Sequence, residues 1–377
     1  MAKTTNKKKK ANKRRLLLLL LLLLVTVLML STATYAWFTS NRKVAIEEIK
    51  VDVGASGGLE ISTDAASWGV RVSKQDLLDA DWADTATINP SNQIPATLAN
   101  MSTYGNVVNG KMDMFLGITT TDADAGIEYL ALSKENEVTS SCMGDTGTKP
   151  CNNNHFVAFD VFLKLDNDGT GEEKTIYVTS NSSVTETNNK GLKNAARVAF
   201  VREGYVDIDT YLGINADYDL GLIQSATVTG INPASNQNDV FIWEPNNDGH
   251  TNAGKTHAAS YYGINSISSA SALPYEGAVG ACTNIPLDYW NSNAGRTLDG
   301  IKDGSNTQVT QWTQCFQPVT VKQSTQTTHD AFELFKIRPG VTKIRVYYWI
   351  EGNDVDTENN ASASDTTLTL YFSLDNI

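Results

Sequence analysis

Histidine and cysteine are scarce in this chain, with four of each among 377 residues. His155, His250, His257 and His329 lie apart, and none belongs to an H-E-x-x-H pair, the spacing that places two imidazoles on one helix face around zinc. No Cys/His arrangement suited to a thiol nucleophile is present either. The chain is therefore read as a non-enzyme, with no catalytic residue, cofactor or metal ligand assigned. The absence of a C-x-x-C pair also argues against structural zinc. Cys142 and Cys151 bracket a turn-rich loop, and Cys282 and Cys315 a longer irregular stretch, so sequential disulfide pairing is the simplest of three connectivities.

Charge is sparse as well, at 19% of residues, and positive charge is rarest where it would matter for polyanion binding. Residues 1–36 hold eight of the 30 basic residues and no acidic one, which leaves 22 basic against 42 acidic residues in the remaining 341, a net charge of −20. That balance disfavours nucleic acid and anionic lipid as partners. Thr, Ser, Asn, Asp and Gly fill the spaces between short apolar runs, the texture of an extracellular all-β protein.

Long apolar runs are missing with one exception. Leu16–Leu30 follows a basic stretch from Lys7 to Arg15 and precedes the small, polar run Ser31-Thr32-Ala33-Thr34-Tyr35-Ala36. That order is the order of a secretory signal peptide. Its 15 residues fall short of the ~20 that a spanning helix needs. Cleavage is expected after Ala36, making Trp37 the new N-terminus. In the alternative, Tyr35 to Phe38 extend the run into an uncleaved signal anchor, and the membrane is met only through that segment.

Helical periodicity is also scarce. Lys74–Trp82 fits a short helix with Ser73 as N-cap, and Gly191–Ala196 a turn before a strand at Arg197–Val201. Period-two alternation dominates instead. Ile344, Val346, Tyr348 and Ile350 share one strand face, with Lys343, Arg345, Tyr347 and Trp349 on the other. Phe159, Val161, Leu163 and Leu165 alternate with Asp160, Phe162 and Lys164, and Leu368, Leu370, Phe372 and Leu374 close the pattern. These read as half-buried antiparallel strands.

The expected organisation is a signal segment over 1–36, a β-sandwich over 37–204 plus 317–377, and an insertion or set of long loops over 205–316. Asp166-Asn167-Asp168-Gly169 begins like a calcium loop, but its length and its strand flanks favour a hairpin turn. Asp354 and Asp356 are likewise read as turn residues. Trp243, Tyr261, Tyr262, Tyr289 and Trp290 are candidates for stacking on sugars, with core packing as the alternative.

Ala36-Trp37-Phe38-Thr39-Ser40-Asn41, the extended Val44–Val53 segment, the Arg338-Pro339-Gly340 turn, the strand ending in Tyr348–Asp354 and the closing Leu368–Leu374 strand together resemble the TasA/camelysin group of secreted bacterial matrix proteins. The resemblance implies a jelly-roll sandwich that polymerises when the N-terminal strand of one subunit inserts into the sheet of the next. That role would fall on Trp37, Phe38, Val44 and Ile46, with Glu47-Glu48 marking a bulge where the arm departs. The implied partners are further copies of the chain and other matrix or cell-surface components. Some members are described as metallopeptidases; this sequence lacks zinc-ligand spacing, and that activity is not carried over. A monomeric adhesin or glycan binder is the second reading, and a secreted peptidase the third. The leading reading has Trp37–Val53 swap between subunits; in the competing one it is simply the first strand of its own sandwich.

Overall fold

A computed structural model describes residues 44–54, 56–80, 92–95, 97–121, 128–137, 155–167, 169–211, 231–233, 240–262, 276–286, 298, 300–326, 330–357 and 364–375. The signal segment lies outside them. The described chain is predominantly β. In chain order its main elements are β1 (Val44–Val53), β2 (Leu59–Ser62), β3 (Arg71–Ser73), α1 (Lys74–Ala80), β4 (Thr97–Leu98), β5 (Asn100–Ser102), β6 (Met114–Thr121), β7 (Glu128–Glu135) and β8 (Val157–Leu165). After these come β9 (Lys174–Val178), β10 (Ser183–Glu186), β11 (Ala196–Asp207), β12 (Val240–Glu244), α2 (Asn252–Tyr262), β13 (Phe332–Ile337), β14 (Gly340–Glu351) and β15 (Thr366–Ser373).

Two large sheets form. The smaller has the order β13-β9-β15-β1-β3, with β10 also on β15 and β4 also on β1. In the larger, β14 is central: β11 pairs with one edge, β8 and then β5 with the other, and β6, β7, β2 and β12 extend it. One apolar core lies between the sheets. Ile49 and Val51 of β1 and Leu368, Leu370 and Phe372 of β15 face Phe159 and Val161 of β8, Val198 and Phe200 of β11, and Ile344, Val346, Tyr348 and Ile350 of β14. Alternation at period two puts every second side chain on this face, so the strands identified from the sequence bury the residues expected of them.

Two expectations are corrected. The sheets are not purely antiparallel: β1 runs parallel to β15, and β5 parallel to β14. Parallel neighbours need a long crossover, and the intervening chain supplies it. Nor is β14 half-buried, since all twelve of its residues are buried. Tyr347 and Trp349, on its second face, pack with Ala158, Ala199, Ile242, Met101, Met112 and Met114. The chain around residues 100–114 thus covers the outer face of the larger sheet.

The boundary drawn at residue 204 falls inside β11, and β12 pairs antiparallel with β11 from Val198 to Val201. Part of the 205–316 stretch is therefore woven into the larger sheet. Residues 276–316 contribute a smaller apolar cluster in which Cys282, Ile285, Ile301, Val309, Cys315 and Phe316 pack on Phe115, Leu130 and Leu132 of the β6–β7 hairpin.

α1 begins as the sequence suggests. Ser73 Oγ accepts the Asp76 N–H at 3.2 Å, and the Asp76 carboxylate accepts the Ser73 N–H at 2.8 Å, a reciprocal cap. α2 was not anticipated, because its Gly- and Ala-rich sequence carries little apolar periodicity. Thr251 nonetheless caps it, its Oγ accepting the Gly254 N–H at 2.8 Å.

Candidate functional site

The residues assigned to polymerisation divide between the described chain and what precedes it. Ala36, Trp37 and Phe38 lie outside the described residues. Val44 and Ile46 are buried in the chain's own core. The bulge read at Glu47-Glu48 is present: Ile46 pairs with Thr366 and Glu48 with Thr367, so Glu47 has no partner on β15. The bulge divides β1 in two. Residues 48–53 pair with β15, and 50–52 of them also with β3, whereas Val44 and Ala45 pair with the two-residue β4. The Lys74 ammonium, drawn from α1, reaches the Ile46 carbonyl at 2.5 Å and closes the gap left between β3 and β4.

Cys282 and Cys315 form a disulfide, 33 residues apart in sequence. Cys142 and Cys151 lie outside the described residues. In the 166–171 turn, Asn167 Oδ1 accepts the Gly169 N–H at 2.9 Å and Thr170 Oγ accepts the Glu172 N–H at 3.2 Å. Both are local turn bonds, while Asp168 lies outside the described residues. Among those residues no group of three or more His, Cys, Asp or Glu is placed to hold a metal ion.

Trp243 is not available to a sugar. It is buried, and its indole N–H donates to Ser324 Oγ at 2.9 Å. Trp68 borders an open cleft of about 490 Å³ with Asp64, Arg71 and Asp76. Its ring, however, is covered by the Lys164 ammonium at 5.1 Å, and its N–H bonds Tyr211 Oη at 2.9 Å. Tyr289 and Trp290 lie outside the described residues, as do the side chains of Tyr261 and Tyr262. The string Gly54-Ala55-Ser56-Gly57-Gly58 matches G-x-S-x-G, which the sequence reading passed over. It joins β1 to β2 through one short 3-10 turn at Ser56–Gly58, where a nucleophile elbow leads from a strand into an α-helix.

Asp354 and Asp356 anchor side chains instead of a metal. Asp354 pairs with Arg197 at 2.7 Å, and the same guanidinium reaches Glu244 at 2.6 Å. Asp356 accepts the Thr251 N–H at 2.8 Å and lies 2.8 Å from His250 Nδ1, fastening the start of α2 to the turn after β14. Burial, reinforced by Asp354, pushes the Asp356 carboxyl up to about 6 against the His250 and Thr251 bonds.

The densest polar arrangement was not anticipated from the sequence. Lys343 and Arg345, on the outer face of β14, were read as solvent-facing, but they are buried with Asp160 of β8, Glu203 of β11, Glu137 and Tyr347. Lys343 Nζ lies 3.1 Å from Asp160 Oδ2 and 3.0 Å from Glu203 Oε2. Arg345 Nη1 donates to Asp160 Oδ1 at 2.5 Å and Nη2 to Glu137 Oε2 at 2.8 Å, and the Tyr347 hydroxyl donates to Glu137. Lys111 closes the group at its more exposed side, 3.3 Å from Glu137.

A bulge builds this cluster. Arg202 pairs with Ile344 and Gly204 with Lys343, so Glu203 is the extra residue, directed at the Lys343 ammonium. Burial pushes the Glu203 carboxyl up, Asp160 adds to it, and the value reaches about 7 despite the two cations. Burial acts on Asp160 in the same direction, but Arg345 and Lys343 outweigh it and hold that carboxyl below the usual range. Two carboxyls in one site are thereby shifted in opposite directions, a separation of the kind that acid–base chemistry uses. The signal that could have found the cluster is a cation at every second position, 343 and 345, opposite an acid in a strand otherwise apolar.

Two β-sheets about a shared core, carrying a disulfide-closed lobe, place the chain among β-sandwich-like proteins; among the described residues no helix is long and apolar enough to cross a membrane. Compared with family models, curated proteins and solved structures, the chain matches none.

Proposed function

We propose that the chain is a secreted, jelly-roll-like structural subunit of cell-surface or matrix fibres, assembling by exchange of its N-terminal strand. The observation that supports this most directly is the division of β1 at its bulge. Residues 50–52 are paired on both sides, with β15 and with β3, whereas Val44 and Ala45 meet only the two-residue β4 across that edge. Val44 and Ile46 are buried, so a leading segment that leaves must find equivalent burial in another copy. A head-to-tail exchange of this kind does not close and grows into a filament. The disulfide is compatible with an extracellular setting.

The test locks the segment to its own sheet. Ala45 and Thr97 are register partners, so Ala45→Cys with Thr97→Cys allows a disulfide across that pair. With residues 1–36 removed, the oxidised double variant should stay monomeric in time-resolved electron microscopy. A mild reductant, too weak to open the buried Cys282–Cys315 bond, should restore filaments at the parent rate. Oxidised protein that polymerises as fast as the parent would rule out strand exchange, and a parent that forms no filaments would rule out the fibre reading altogether.

A further inference from the structure

We infer that Lys343 and Asp160 are the partners of an intramolecular isopeptide bond, formed with Glu203 as proton carrier and Arg345 as the group that holds the carbonyl oxygen. The inference stands on the geometry of the cluster and is independent of the fibre reading. Lys343 Nζ sits 3.1 Å from Asp160 Oδ2, with the two side chains 6% and 3% exposed. Glu203 Oε2 touches the same nitrogen at 3.0 Å, and its side chain is also 3% exposed. An amine, a carboxyl and a second carboxyl that can carry its proton thus share a site from which water is largely excluded, within ion-pair distance of one another. The Phe162 ring, 5.9 Å from the ammonium, adds an apolar wall.

The atoms balance without any further reactant. Lys343 begins as an ammonium and Asp160 as a carboxylate. One proton passes from Nζ to Asp160 Oδ2 across their contact, and the freed amine lone pair attacks Cγ of the resulting carboxylic acid. The displaced electron pair goes to Oδ1, which already accepts the Arg345 Nη1 hydrogen bond at 2.5 Å, an arrangement suited to an oxyanion. Glu203 then takes a proton from the attacking nitrogen and delivers it to the Oδ2 hydroxyl, and the Cγ–Oδ2 bond breaks to release water as the Oδ1 electron pair reforms the carbonyl. The products are a neutral secondary amide and one water, with Glu203 returned to its starting state. The Glu203 carboxyl, raised by burial to about 7, is matched to both halves of that relay at neutral pH.

The site also supplies a driving force that bulk water would not. Condensation removes one buried cation and one buried anion together, relieving the desolvation that both ions bear. The bond would tie β8 to β14 by side chains as well as by their ladder, joining two strands that start near residues 157 and 340.

Mass spectrometry decides the matter. The chain without residues 1–36 is purified, incubated at neutral pH, then fully reduced and denatured, and its intact mass is measured. The expected mass is that of the sequence less one water, and tryptic digestion should yield a branched peptide joining the Asp160 and Lys343 segments. Glu203→Gln and Lys343→Met, confirmed as folded by circular dichroism, should show the full mass. Should either variant fail to fold, the branched peptide from the parent chain alone decides. A parent chain at full mass, or a water deficit that persists in folded Lys343→Met, overturns the inference.

Discussion

Replacing Arg197 by methionine probes whether buried charge holds this fold together. The guanidinium is 2% exposed, and Glu244 and Asp354, its carboxylate partners, are 10% and 8% exposed. It also donates to the carbonyls of Asn194 and Ala196, each at 3.0 Å. Methionine fills most of the volume but supplies no donor. Two carboxylates are then left facing each other in a poorly hydrated site, together with carbonyls that have lost a partner. Breaking a buried pair from one side costs about 3–5 kcal/mol, well above the ~1 kcal/mol of a surface pair. With a urea dependence of about 3 kcal/mol per molar, the unfolding midpoint should fall by roughly 1–1.7 M. Adding Asp354→Asn should recover about 1–2 kcal/mol of this loss, since one of the stranded charges is removed. A fall in stability below ~1 kcal/mol would show that water reaches the pair and that the burial argument fails.

Two other perturbations follow from the same structure. The Asp356 carboxyl is held at about 6 against 3.8 for an unhindered aspartate, with His250, Thr251 and Asp354 facing it. A raised carboxyl contributes stability that is present in acid and lost as pH rises through the folded value. Parent stability should therefore decline between pH ~4 and ~6, by up to about 3 kcal/mol, in a way Asp356→Asn does not share; parallel urea midpoints for the two chains across that window would refute this. Replacing Cys282 and Cys315 by alanine opens a 33-residue loop, worth about 4 kcal/mol on a chain-entropy account. Because these cysteines belong to their own apolar cluster, amide exchange should accelerate over residues 276–316 and leave β14 protected; uniform acceleration would contradict a separable lobe.

How much was legible depends on what each residue was asked to reveal. Ile344, Val346, Tyr348 and Ile350 announced a strand and its core face, because a period of two needs no knowledge of neighbours. The bulge at Glu47 was legible for the same reason: it shifts the alternation of a single strand. Lys343 and Arg345 misled because their surroundings are supplied by Asp160, Glu203 and Glu137, residues far away in sequence, and charge at alternate positions ordinarily marks a solvent face. The parallel pairing of β1 with β15 is of the same kind, since register between distant strands leaves no trace in either one alone. α2 escaped because its helix rests on a Thr251 cap and an Asp356 bond, not on an apolar stripe.

The parallel ladder between β1 and β15 sets the order of events in the life of the chain. Ile46 to Val53 find their main partner in Thr366 to Phe372, so the first strand of the smaller sheet is unfinished until almost all the described sequence has been made. Contacts of such separation form late and slowly. A polypeptide emerging from one end cannot close this sheet early. The smaller sheet acquires its final shape only once β15 is available to complete it.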